Sequence, residues 1–235
     1  MYTHLTILID ESGSMQSLRT TVLESIQRLI REQQALKDPC TITISTFDSR
    51  GGLGFSGSTT GQLWGGAGGN NLSHASIRTP IRMGDIQKAS FTEYQPNGGT
   101  PLLEAICREV DATGKDLACL PEPARPEKVI FVIMTDGEEN ASGFGFTIDE
   151  VKRRVQWQTD VYKWEFLFLG ANIDAFAVGQ SFGFSTHSIS GYNATQTGYV
   201  TTSNLLSSKL TDVRNGTVAS ATFTKQEQDT LSTTK

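Results

Sequence analysis

The apolar run Leu5-Thr6-Ile7-Leu8-Ile9 leads directly into Asp10-Glu11-Ser12-Gly13-Ser14. This joins a buried strand to an acidic, hydroxyl-rich turn, a combination that few folds can use. One carboxylate followed at alternate positions by two hydroxyls puts three hard oxygens on one side of the turn, at the carboxyl end of the strand. Hard oxygens suit Mg²⁺ or Mn²⁺. Asp and Ser are also ordinary capping residues of a strand-to-helix turn, so these five residues alone leave both readings open.

Two distant segments supply matching chemistry. Asn97-Gly98-Gly99-Thr100-Pro101 opens a helical pattern, and Val129-Ile130-Phe131-Val132-Ile133-Met134-Thr135-Asp136-Gly137 is a second buried strand ending in an acidic turn. From about Thr3 to about Asn215 the chain resembles the von Willebrand factor type A domain, whose metal-ion-dependent adhesion site combines D-x-S-x-S with a Thr from a second loop and an Asp from a third. The positions are filled by Asp10, Ser12, Ser14, Thr100 and Asp136. Gly99-Thr100-Pro101-Leu102-Leu103, Thr135-Asp136-Gly137-Glu138-Glu139-Asn140 and Phe168-Leu169-Gly170-Ala171-Asn172-Ile173-Asp174-Ala175 are similar to stand-alone bacterial and phage versions.

The resemblance implies a non-catalytic module in which bound Mg²⁺ or Mn²⁺ accepts a carboxylate from an Asp or Glu of a protein partner. In such proteins the partner can be an AAA+ ATPase, a stress-response complex or a phage particle. Candidate partner contacts are Glu11, Gly99 and Gly137 around the site, with Phe55 and Trp64 further off. Glu11, Glu138 and Glu139 flank the site, either tuning its field or simply as solvated turn residues; the second is the commoner fate of such acids.

The 235 residues, 37% of them apolar, suffice for one sizeable core. A net charge of −5 argues against a general nucleic-acid or anionic-membrane binder. No apolar run approaches the roughly 20 residues that span a bilayer. The N-terminus lacks a basic region ahead of its apolar stretch, so a cytoplasmic location is expected, including one within a phage or other particle. Cys40, Cys107 and Cys119 show no paired spacing and read as reduced, mostly buried thiols.

Periodicity orders the rest. Met15 to Leu36 follows helical spacing, and Thr41 to Phe47 alternates as a strand does. Residues 51–70 hold nine glycines, which reads as a loop or loose hairpin within an insertion of about 49–83. There Phe55, Leu63 and Trp64 are either contact residues or pins that fix the hairpin to the domain. Pro101 suits the first position of a helix capped by Thr100. Further strands are expected at 128–134, 164–169 and 186–190, and helices after capping boxes at Thr147-Glu150 and Asn193-Gln196.

The result is an α/β chain with a doubly wound, mostly parallel central sheet flanked by helices on both faces. Residues 1–215 form the domain and 216–235 a polar, solvated tail with a short helix near 224–227. Asp10 and Asp136 both end strands, where ligands bind in open α/β sheets.

Two catalytic readings compete. A phosphohydrolase of the haloacid-dehalogenase type would carry a second acid two residues after Asp10, where this chain has Ser12. Gly179-Gln180-Ser181-Phe182-Gly183 matches G-x-S-x-G, but in a stretch expected to close a helix rather than open one after a strand. His4, His74 and His187 lack ligand spacing. A third reading makes the chain a particle component that binds through its Gly-rich insertion.

Overall fold

The computed structural model describes residues 1–49 and 75–234. Among these described residues six strands form one sheet: β1 Thr3–Asp10, β2 Cys40–Asp48, β3 Ser76–Asp85, β4 Lys128–Thr135, β5 Glu165–Ala171 and β6 Ile189–Tyr192. Their order is β3-β2-β1-β4-β5-β6, all parallel except the β2–β3 pair. The helices are α1 Arg19–Gln34, α2 Leu102–Ala118, α3 Ile148–Tyr162, α4 Ala175–Ser181, α5 Gln196–Arg214 and α6 Lys225–Thr233.

Successive strand residues point to opposite faces, so a strand covered on both sides is apolar throughout. Leu5, Ile7 and Ile9 of β1 and Ile130, Val132 and Met134 of β4 meet α1 and α5. Leu8 of β1 and Phe131 and Ile133 of β4 meet α2, α3 and α4 instead. The doubly wound sheet expected from the sequence is therefore present, and the ends of β1 and β4 lie side by side at its centre.

Several local expectations change. Residues 76–83, counted within the insertion, belong to the antiparallel edge strand β3, which is half-buried and irregular where it passes Ile42 and Ile44. The helical pattern from Met15 begins as a 3₁₀ turn, Gly13–Leu18, because Gly13 N–H is drawn to Gly98 O at 2.9 Å and Met15 N–H to Ser12 O at 3.1 Å. The box at Asn193 lies two residues early, since Thr195 caps α5 through Gly198 N–H. His4 is a core residue hydrogen-bonded to Thr41 and Thr6, and its burial pushes its pKa down to about 4. Cys40 and Cys107 are buried and Cys119 exposed, all three free.

The polar tail is not merely solvated. Thr224 and Glu227 form a reciprocal capping box that starts α6, and Ala221, Phe223 and Leu231 are buried. Gln228 donates to the carbonyls of Thr186 and Ile189, at 2.9 and 2.8 Å, which joins α6 to the start of the edge strand β6. Composition hides this packing because only one narrow stripe of the segment is apolar. Among the described residues, no helix is long and apolar enough to cross a membrane.

Candidate metal centre

Asp10 ends β1 with its carboxylate fully buried. Its Oδ1 accepts from Ser12 N–H at 2.8 Å and its Oδ2 from the Thr135 hydroxyl at 2.6 Å. The first bond folds the turn so that Ser12 and Ser14 share a side, with hydroxyls 3.0 Å apart. Ser14 Oγ donates to Asp136 Oδ1 at 2.7 Å, across 122 residues of sequence. Four of the five expected positions are thus linked to one another directly or through the turn.

Thr100 arrives on the second loop. Sequence reasoning made it the cap of α2, but Pro101 occupies the cap position and the Thr100 side chain does not bond to the helix. Glu139 and Ser142 cap α2 instead, accepting from Leu103 N–H at 2.8 Å and Glu104 N–H at 2.9 Å. The Thr100 hydroxyl faces Gly137: a methyl group added there would lie 3.1 Å from Thr100 Oγ1 and 3.9 Å from Ser14 Oγ. Glycine at 137 therefore keeps a small cradle open between the two hydroxyls and the Asp136 turn.

The electrostatics favour a cation. Burial raises the Asp10 pKa to about 6, with the nearby Asp136 adding to the shift and the bonds from Thr135 and Ser12 opposing it. Burial also raises the Asp136 pKa, opposed by Ser14. Among the described residues no group of three or more His, Cys, Asp or Glu is placed to hold a metal. The donor set here is two carboxylates and three neutral hydroxyls, all hard oxygens, which fits Mg²⁺ or Mn²⁺ better than a soft-ligand metal.

No protein-family model and no curated protein matches the sequence. Solved structures do. The pilus adhesin SpaC of Lactobacillus rhamnosus GG, in its open conformation, has a TM-score of 0.57 and 14% identity, covering 91% of this chain and 30% of its own. Proximal thread matrix protein 1 from the mussel byssus gives 0.53 and 12% over 87% and 47%. The manganese-loaded TRAP protein of Plasmodium vivax gives 0.52 and 17% over 84% and 70%. The chain has the von Willebrand factor type A fold. It spans less than half the length of the first two structures.

In this chain of von Willebrand factor type A fold the flanking residues take roles that differ from those expected. Glu11 is neither solvated nor open to a partner: it is fully buried, with its carboxylate paired to Arg78 of β3 and accepting from Gln95 N–H. Its main chain bonds to Phe47 O and Asn97 N–H, both at 2.8 Å, so Glu11 knots the first loop to β2, β3 and the Thr100 loop. Gly99 is half-buried and closely packed. A side chain there would meet Asn140 Oδ1 at 2.6 Å, because Asn140 accepts from Thr100 N–H at 2.8 Å. Glu139 is taken up by backbone N–H groups, and only Glu138 is exposed. Phe55, Leu63 and Trp64, together with His74, lie outside the described residues.

Sequence reasoning missed the supports. Thr135 holds Asp10, Tyr94 donates to the Asp10 carbonyl, and Tyr192 donates to the Thr135 carbonyl at 3.2 Å. Thr135 precedes Asp136 in the quoted motif and was findable there; the two tyrosines carried no local signal. Ser181 of the G-x-S-x-G match ends α4 and donates to Val178 O at 2.7 Å, the posture of a helix terminus and not of a nucleophile elbow.

Proposed function

We propose that this chain is a divalent-metal-dependent protein-binding module. Ser12, Ser14 and Thr100 would offer neutral hydroxyl ligands, and Asp10 and Asp136 would supply the negative charge that holds the ion. When bound, Mg²⁺ or Mn²⁺ with so few anionic ligands supplies an electrophilic position for a carboxylate from a partner's Asp or Glu. The carrying observation is the convergence of two buried carboxylates of raised proton affinity with three hydroxyls around the Gly137 cradle. The manganese-loaded TRAP structure, of like fold, supports the choice of a hard divalent ion.

The chain's own residues do three things here. Thr135 and Ser12 N–H fix the Asp10 carboxylate, the Ser14–Asp136 bond joins the first and third loops, and Gly13 N–H to Gly98 O joins the first and second. The loops are therefore held in place before any ligand arrives, which lowers the ordering cost of binding. No catalytic role is assigned: Ser12 stands where a phosphohydrolase would need its second acid. The partner is a protein with an accessible carboxylate, an AAA+ ATPase or a stress-response or phage complex by family resemblance.

Calorimetry with Mg²⁺ and Mn²⁺ on the wild type and on a Ser12→Ala/Ser14→Ala variant tests the site, and a lysate pull-down in Mg²⁺ or EDTA tests the interaction. Binding lost in the variant, with a partner released by EDTA, supports the reading. Equal metal affinity in both proteins refutes it.

A further inference from the structure

An apolar pocket of about 260 Å³ opens beside Gly137. Leu102 and Leu103 of α2, Ile148 of α3, Ile173, Val178 of α4 and Phe182 form its apolar wall. Ile148 is 46% exposed, and Ile173 and Val178 are half-buried. The polar groups that reach the pocket are already engaged. The Glu139 carboxylate accepts from Leu103, Ala141 and Ser142 N–H, and Ser181 Oγ donates to Val178 O. What remains to a ligand is hydrocarbon, with the exposed Glu138 at the rim.

Gly137 belongs both to the pocket wall and to the turn that carries Asp136, and a side chain there would point at the Thr100 and Ser14 hydroxyls of the metal centre. Because Asp136 and Gly137 are consecutive, the pocket wall begins one residue from the metal centre. We propose that this pocket is the specificity subsite of the metal centre, selecting partners whose docking Asp or Glu is accompanied, within one or two residues, by a bulky aliphatic or aromatic side chain. This rests on the carboxylate-docking reading above. The volume accommodates one large side chain, and seating it removes exposed hydrocarbon of Ile148, Ile173 and Val178 from water. Glu138 at the rim repels a second acid, so the residue beside the docking carboxylate is apolar rather than acidic. A few convergent polar groups next to an apolar recess is the common anatomy of a selective site.

The test uses Mn²⁺-loaded protein and three blocked tetrapeptides with glycine at both ends, whose central pairs are leucine–aspartate, alanine–aspartate and leucine–asparagine. Paramagnetic broadening of the peptide protons by Mn²⁺ reports binding even when it is weak. The expected result is that leucine–aspartate binds about tenfold tighter than alanine–aspartate, that the asparagine peptide shows no broadening, and that Ile148→Asn abolishes the leucine advantage. Ile148 is exposed enough for that change to leave the fold intact. Equal binding of the two aspartate peptides overturns the subsite and leaves the docking reading standing. Mn²⁺ binding with no peptide broadening overturns both. Binding of the leucine–asparagine peptide that persists in EDTA, followed by chemical shifts of the protein, makes the pocket independent of the metal and overturns it as a subsite.

Discussion

Asp10→Asn should stabilise the metal-free protein at neutral pH while removing its response to Mg²⁺. Burial lifts the Asp10 pKa from 3.8 to about 6. Between these values the folded state binds more protons than the unfolded state, so stability falls as pH rises and the penalty is complete above pH 6. A shift of this size is worth about 3 kcal/mol. Asparagine removes the charge and keeps the geometry. Its Oδ1 still accepts from Ser12 N–H, while its NH₂ donates to Thr135 Oγ1, whose hydroxyl can turn to the Gly137 carbonyl 3.2 Å away. Urea unfolding in EDTA should show the variant ahead by under about 1 kcal/mol at pH 4, widening to about 3 kcal/mol at pH 8. Taking the difference between the two proteins cancels the opposite slope contributed by His4. At 100 times its dissociation constant, Mg²⁺ should add about 2.7 kcal/mol to the wild type and far less to the variant. A gap that stays flat or narrows with rising pH would refute the claim that burial sets this pKa. Equal stabilisation of both proteins by Mg²⁺ would refute a role for Asp10 in holding the ion.

Other outcomes follow from the same geometry. His4, held neutral with a pKa of about 4 against 6.5 when unfolded, contributes stability that is present above pH 6.5 and lost as pH falls toward 4; His4→Gln should flatten the acid limb of a thermal-melting profile, and an unchanged limb would exclude the effect. Arg78→Met removes an ion partner of the buried Glu11, Arg78 itself being about one-third exposed; a loss of about 1–3 kcal/mol in chemical unfolding is expected, and the double variant with Glu11→Gln should cost less than the sum of the singles. Phe223→Ala should cost about 3–5 kcal/mol, because Phe223 is buried in the main core and does not belong to a loose tail; a change below 1 kcal/mol would return that segment to the solvent. Gly137→Ala should weaken Mg²⁺ binding about tenfold by calorimetry, since the added carbon sits 3.1 Å from Thr100 Oγ1.

Features carried by short-range pattern were legible in the sequence by itself. The apolar runs of β1 and β4, the 3.6-residue spacing in α1 and α2, and the Thr147 cap of α3 each need only neighbouring residues to be recognised. Alternation of such elements was enough to give a doubly wound sheet, and the strand-ending carboxylates Asp10 and Asp136 pointed to the end of the sheet where the proposed site lies. Tertiary structure alone decided what those residues touch. Glu11 looks like any turn acid until β3 brings Arg78 to it from 67 positions away, and Thr100 looks like a helix cap until Glu139 and Ser142 take over that task. Residues 221–233 look like a tail until β6 offers an edge to cover. A local sequence fixes a residue's chemistry and its place within a helix or strand. Burial, partner and proton affinity depend on groups that are distant in the chain, and only the closed fold brings those groups within bonding distance.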